Sequence, residues 1–197
     1  YYRTPCPNVN GDLEADVMYN FWGKELDCVS CGHTVPLFKD YRVAAGRYEN
    51  DDKYNVLCPG CESVTLVDDW QSESECNECS HEFVPKSGSV SRGGYYNCPE
   101  CGQKESITDG VAKFGKPNER LYALEYYCEE CDENGLEKSA HKGYKGISPA
   151  DLRLSEEARQ EWEVRSDLND FVPELPIPEG HMTSERNPIF DHGYEDW

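Results

Sequence analysis

Ten of the eleven cysteines in this chain fall into five Cys-x-x-Cys pairs, and this spacing restricts its folds more than any other feature. The pairs are Cys28/Cys31, Cys58/Cys61, Cys76/Cys79, Cys98/Cys101 and Cys128/Cys131, while Cys6 stands alone. A Cys-x-x-Cys turn lets both sulfurs face one point, and two such turns supply four thiolates to a tetrahedral ion. Cys58-Pro-Gly-Cys61 and Cys76-Asn-Glu-Cys79, fourteen residues apart, have the spacing of a zinc ribbon. Zn²⁺ suits such a site because it is redox-inert and accepts four sulfurs. Iron of the rubredoxin kind is the alternative metal. Disulfide scaffolds space their cysteines more widely. A thioredoxin-like reading of one pair lacks its helix and βαβ context.

Composition supports small metal-held units over one large core. Of 197 residues, 37% are hydrophobic and 29% charged, so stability must come partly from metal. There is no run of about 18 apolar residues, and the expected compartment is the cytoplasm. The start, Tyr1-Tyr-Arg-Thr-Pro-Cys6, is no signal peptide and reads as a cut into a longer protein. The formal charge of −20 is that expected of a halophile, whose surface carboxylates keep a protein hydrated in high salt. An ordinary acidic protein is the other reading. Either way, strong non-specific nucleic-acid binding is disfavoured, because it needs a basic surface.

The expected fold is small, metal-bound and β-rich: tandem zinc ribbons with a short C-terminal helix and an extended tail. Sequential pairing of the knuckles gives three ribbons. The first, residues 1–47, carries a defect, because Val9 stands where a second cysteine is due after Cys6. Cys6, Cys28 and Cys31 then need a fourth ligand, with Asp12 and His33 as candidates. Within it, residues 15–22 read as a strand and Gly23-Lys24 as a turn. The second ribbon, residues 48–89, uses Cys58, Cys61, Cys76 and Cys79, with strands at Tyr54–Leu57 and Ser63–Val67 and Trp70 as a cover. His81 is a minor rival ligand. The third, residues 90–147, uses Cys98, Cys101, Cys128 and Cys131, with residues 111–114 and 121–127 as a hairpin around Gly115–Asn118. Other pairings stay open, such as Cys28/Cys31 with Cys58/Cys61 and Cys76/Cys79 with Cys98/Cys101. Two or three Zn²⁺ per chain follow.

Beyond the knuckles, residues 148–170 read as helical. Ser148-Pro-Ala-Asp151 has the form of a capping box with Pro at the first helical position. The periodicity predicts a helix over about 155–168, with Trp162 docking on a neighbour. Prolines 173, 176 and 178 then mark residues 171–197 as an extended linker.

Several strings carry a family resemblance. They are Val35-Pro-Leu-Phe-Lys-Asp-Tyr-Arg42, the ribbons after it, Ser91-Arg-Gly-Gly94 before Cys98-Pro-Glu-Cys101, and residues 114–127. Together they resemble the zinc-ribbon segment inserted in a family of large prokaryotic adenine-specific DNA methyltransferases. The closing Tyr194-Glu-Asp-Trp197 resembles the return to that family's catalytic domain. The resemblance implies a parent enzyme dependent on S-adenosylmethionine, with the rest of the methyltransferase as partner. This chain holds no methylating site of its own. Asn187-Pro-Ile-Phe190 lacks the second Pro of an amino-methyltransferase loop, and no Gly-rich turn offers a cofactor cradle. No triad is evident among the five histidines.

Two functions follow from different classes. One is a non-catalytic scaffold or recognition module, contacting DNA or another part of the enzyme. DNA contact would fall to a local basic face of Arg42, Arg47, Arg92, Lys113 and Lys116, with Tyr95 and Tyr96 stacking on bases. The other is a rubredoxin-like electron-transfer protein with iron at Cys58, Cys61, Cys76 and Cys79.

Overall fold

The computed structural model describes residues 3–8 and 13–165. The chain runs β1 (Arg3–Pro5), β2 (Glu14–Asp27), β3 (Thr34–Pro36), β4 (Arg42–Ala45), β5 (Tyr54–Leu57), β6 (Val64–Val67), β7 (Ser74–Glu75), β8 (Glu82–Phe83), β9 (Val90–Ser91), β10 (Tyr95–Asn97) and β11 (Lys104–Ser106). It continues as α1 (Ile107–Phe114), β12 (Asn118–Tyr127), α2 (Glu129–Glu133), α3 (Lys138–His141), β13 (Lys142–Gly146) and α4 (Pro149–Val164). The fold is small and β-rich with few helices. Among the described residues, no helix is long and apolar enough to cross a membrane.

The largest sheet has the order β1-β2-β12-β13, with β3 also paired to β2. Its centre is the antiparallel pair β2 and β12, running from Asn118↔Glu25 to Tyr127↔Asp16. β2 is 14 residues long, which is roughly 45 Å at strand rise. The expected turn at Gly23-Lys24 does not form, because Gly23 lies inside β2, opposite Arg120. A Cβ there would stand 2.7 Å from the Tyr122 ring and 2.9 Å from Phe38. The glycine lets a ring cross the strand; it does not reverse the chain.

The expected hairpin over 111–127 is also corrected. Residues 107–114 form α1, capped by Ser106, whose side chain accepts from the Asp109 amide. The Ser-x-x-Asp spacing is a helix-start signal. Gly115, at φ 89, closes the helix, and only residues 118–127 form a strand. Strands β5 and β6 match the expected segments closely.

Three separate apolar clusters hold the unit together, and each is built around cysteines. Cys6, Cys128 and Cys131 pack with Ala15, Leu124 and Tyr126. Cys28 and Cys98 pack with Leu26, Val35 and Tyr96. Cys58 and Cys76 pack with Val56, Val67 and Phe83, with Trp70 against them.

The Ser148 capping box forms as the sequence predicts. The Ser148 amide donates to Asp151 Oδ2 at 2.9 Å, and the Asp151 amide donates to Ser148 Oγ at 3.3 Å. Asp151 is fully buried. It also accepts from Thr4 Oγ1 at 2.6 Å and pairs with Lys145 Nζ at 3.2 Å. Burial alone would raise its pKa, but hydrogen bonds from Ser148 and Thr4, with the Lys145 charge, hold it below the ordinary carboxylate range. The group therefore stabilises the fold above its unfolded pKa of about 4, and that contribution is lost as pH falls through the lower folded value. Asp151→Ala leaves Lys145, itself 12% exposed, without its buried partner. The expected cost is about 3–5 kcal/mol, read by denaturant unfolding at neutral pH. The difference from the parent should shrink on acidification; a constant difference would contradict the carboxylate's role.

Helix α4 starts at Pro149, earlier than the expected residue 155. A second compact unit begins at Arg153. In it Arg159 pairs with Glu156 at 2.7 Å and also with Glu163, and Trp162 is half exposed. The expected linker 171–197 lies outside the described residues.

Candidate metal centres

All eleven cysteines fall into three groups able to hold a metal ion, with ligand atoms inside each group within 4.8 Å of one another. The groups are Cys58/Cys61/Cys76/Cys79, Cys28/Cys31/Cys98/Cys101 and Cys6/Cys128/Cys131. The second ribbon pairs as the sequence suggests. The first and third, at residues 1–47 and 90–147, are corrected: Cys28/Cys31 joins Cys98/Cys101, and Cys6 joins Cys128/Cys131. The three groups are nested along the chain. The open alternatives joining Cys31 to Cys58 and Cys79 to Cys98 are not formed either.

The long strands explain the nesting. Cys6 and Cys28 flank opposite ends of β2, so they stand far apart. β12 runs antiparallel, and its end at Tyr127 lies beside Asp16, which also pairs with Arg3 of β1. Cys6 and Cys128 therefore meet at one end. At the other end, Asn118 pairs with Glu25, and α1 packs its Gly110 against Leu26 and the Tyr96 hydroxyl. That packing brings the Cys98 knuckle to Cys28.

In all five turns the amide of the residue after the second cysteine donates to the first cysteine's carbonyl, with Asp132 to Cys128 at 3.2 Å inside α2. The other four share one construction: Gly32 to Cys28 at 2.8 Å, Glu62 to Cys58, Ser80 to Cys76 and Gly102 to Cys98 each at 2.9 Å. All four of those residues have positive φ, including the non-glycines Glu62 (58°) and Ser80 (56°). A left-handed non-glycine costs about 1–2 kcal/mol, so the turn is held by its surroundings. Amides also reach the sulfurs, Gly60 N to Cys58 Sγ at 3.3 Å and Glu78 N to Cys76 Sγ at 3.4 Å.

The sulfur spacing fits a tetrahedral ion. Zinc with bonds of about 2.3 Å holds tetrahedral sulfurs about 3.8 Å apart. Here Cys58–Cys79 and Cys31–Cys98 are 3.7 Å apart, and Cys61–Cys76, Cys28–Cys101 and Cys6–Cys131 are 3.6 Å apart. Disulfides need about 2.05 Å, and all the cysteines are free. In the four-thiol groups, the first cysteine of each pair is buried and the second exposed, whereas all three thiols of the Cys6 group are buried.

The thiols divide in acidity. Burial pushes Cys28 and Cys58 up to about 12. Burial also opposes ionisation of Cys76, but hydrogen bonds from Ser63 and the Glu78 and Cys79 amides bring it down to about 6. Each cluster thus resists ionising all its thiols by itself. A divalent cation would supply the charge that lets every ligand shed its proton.

A carboxylate supports the Cys28 group. Glu105 accepts from the Val29 amide at 2.5 Å, the Ser30 amide at 2.8 Å and the Tyr96 hydroxyl at 2.8 Å. Burial would raise its pKa, but these donors and the Ser30 hydroxyl hold it at about 2. It fixes the Cys28 turn from β11, the strand that follows the Cys98 turn of the same group. Nothing in the sequence around Glu105 marks it, because its partners on the Cys28 turn are about 75 residues away.

The other expected site residues divide. His33 is exposed and sits on the Cys28 turn, its carbonyl accepting from the Cys28 amide, so it does not complete the Cys6 group. His81 stacks on Phe83 and is outside the Cys58 group. Asp12 and Asn187–Phe190 lie outside the described residues. Tyr96 is fully buried, its hydroxyl donating to Asp27 O and Glu105, so it cannot stack on a base. Tyr95 is exposed, with Lys104 over its ring at 4.9 Å. Arg47 pairs with buried Glu125 at 2.8 Å, Arg42 lies 4.4 Å over Trp70, and Lys113 donates to Val29 O at 2.7 Å. Arg92 and Lys116 are exposed. Among known proteins, no family model, curated protein or solved structure matches this chain.

Proposed function

We propose that this chain is a non-catalytic scaffold whose three cysteine groups bind zinc in ribbon-type sites, and that it serves as a contact module inside a larger enzyme. The observation that carries this reading is the pair of four-thiol groups with sulfurs spaced for one tetrahedral ion. Zinc is favoured over iron because Cys76-Asn-Glu-Cys79-Ser80 lacks the Pro and Gly of rubredoxin knuckles.

The parent enzyme in this reading is an adenine-specific DNA methyltransferase using S-adenosylmethionine, a proposal that rests on the resemblance of residues 35–42, 91–101 and 114–127. Of its two contact modes, protein contact is the better supported. The formal charge of −20 opposes phosphate binding, and Arg42, Arg47 and Lys113 are engaged within the fold. Tyr19 and Trp22 on β2, 65% and 55% exposed, offer aromatic anchors of the kind protein interfaces use.

Elemental analysis of the purified chain tests the metal, and a duplex-binding titration tests the contact mode. Zinc at two to three equivalents, with no duplex retained at physiological salt, is the expected result. A red, iron-loaded protein would replace the scaffold with electron transfer. Tight duplex binding that weakens steeply with salt would replace protein contact with DNA contact.

A further inference from the structure

We propose that His141 supplies the fourth ligand, through Nδ1, to the metal held by Cys6, Cys128 and Cys131. The inference rests on the metal-scaffold reading and adds a ligand that the cysteine pattern does not contain. In the four regular turns, the amide of the first cysteine donates to the carbonyl five residues on: Cys28 to His33, Cys58 to Ser63, Cys76 to His81 and Cys98 to Gln103. The Cys128 amide makes the same bond at 2.7 Å, but to His141. Helices α2 and α3 are an insertion inside the turn, and His141 occupies the position that closes it.

In the Cys58 pair of turns that position reaches the thiols or the opposing turn, whereas His33 and Gln103 are exposed. Ser63, its occupant in the Cys58 turn, lies 3.0 Å from Cys61 Sγ and 3.3 Å from Cys76 Sγ. The ring of His81, its occupant in the Cys76 turn, lies over Gly60 of the opposing turn. The turn opposing His141 is Cys6-Pro-Asn8, with a single cysteine. Asn8 Nδ2 donates to Tyr126 Oη at 3.0 Å and also to Ala140 O, beside His141.

His141 also has the surroundings of a metal ligand. It is 7% exposed, and its Nδ1 is buried with no hydrogen-bond partner among the described residues. Its Nε2 stands 3.6 Å from Asp132 Oδ1, and the other oxygen of Asp132 accepts from the Tyr127 hydroxyl at 2.6 Å. A ligating histidine commonly gives its second ring nitrogen to a carboxylate, which leaves the first for the metal. The three thiols are buried, which disfavours water as the fourth ligand. The ring nitrogens lie outside the 4.8 Å group of thiols, so ligation requires the side chain to turn toward them while Nε2 stays within reach of Asp132.

Metal stoichiometry by native mass spectrometry, with cobalt absorption of the substituted protein, tests the assignment on the full chain. The parent is expected to hold three equivalents, His141→Ala two, and His141→Cys three with a shift toward an all-thiolate spectrum. Asp12→Ala is expected to keep three. Asp132→Asn is expected to weaken that one site by about 10–100-fold. Three equivalents and an unchanged cobalt spectrum in both His141 variants would overturn the proposal, as would loss of the third ion in Asp12→Ala. Two equivalents in the parent would overturn it while leaving the scaffold reading intact. No bound metal in the parent would sink both.

Discussion

Stripping the metal with a chelator at neutral pH is expected to unfold the cysteine-bearing unit, and returning zinc to refold it. Among the described residues, seven of the twenty buried apolar side chains are cysteines, and they are split over three clusters. On the proposed scaffold reading, each cluster depends on its ion to order its strands. A structural zinc contributes about 10–16 kcal/mol of apparent folding free energy, against about 5–15 kcal/mol for a whole domain. The apo unit therefore falls on the unfolded side. Acid acts in the same direction, because protons compete with metal for every thiol and affinity falls as pH drops. Far-UV circular dichroism with chelator, then with added zinc, reads both steps. A cooperative thermal transition surviving in the stripped chain would show that the strands hold without metal.

The double variant Cys31→Ser/Cys101→Ser is expected to lose one metal equivalent, the same one that each single variant loses. These two cysteines belong to one group, although about 70 residues separate them in sequence. Both are exposed, so the substitutions leave the apolar clusters filled. In a tetrahedral site the loss of one thiolate removes a bond that backbone relaxation cannot replace, and a second loss in the same site adds little. Cys31→Ser/Cys131→Ser is expected to lose two equivalents, since it touches two groups. Native mass spectrometry of the four proteins reads the counts. Sequential ribbons would give two losses for the first double variant, and that result would refute the nested pairing.

The convergence of thiols into groups able to hold a metal was legible in part in the sequence, because a Cys-x-x-Cys turn is local. Its two sulfurs converge through four residues, whatever the rest of the chain does. The grouping of Cys58, Cys61, Cys76 and Cys79 was legible for the same reason, since the two turns are joined by a short stretch with its own strands. Strands β5 and β6 and the Ser148–Asp151 cap were legible too, being set by side chains a few residues apart. Which Cys-x-x-Cys turns come together outside residues 58–79 was not local. It depends on whether Gly23 turns the chain or lets Tyr122 cross it, and a ring 99 positions further along decides that. Once β2 runs on without a reversal for 14 residues, Cys6 and Cys28 lie too far apart to meet. Antiparallel pairing with β12 then delivers Cys128 to one and the Cys98 knuckle to the other. The same long-range pairing placed Glu105 beneath the Cys28 turn. An insertion of two short helices carried His141 to the Cys128 turn. No sequence spacing marks either residue, because Glu105 meets the Cys28 turn, and His141 in the proposed site meets Cys6, only once the sheet has folded.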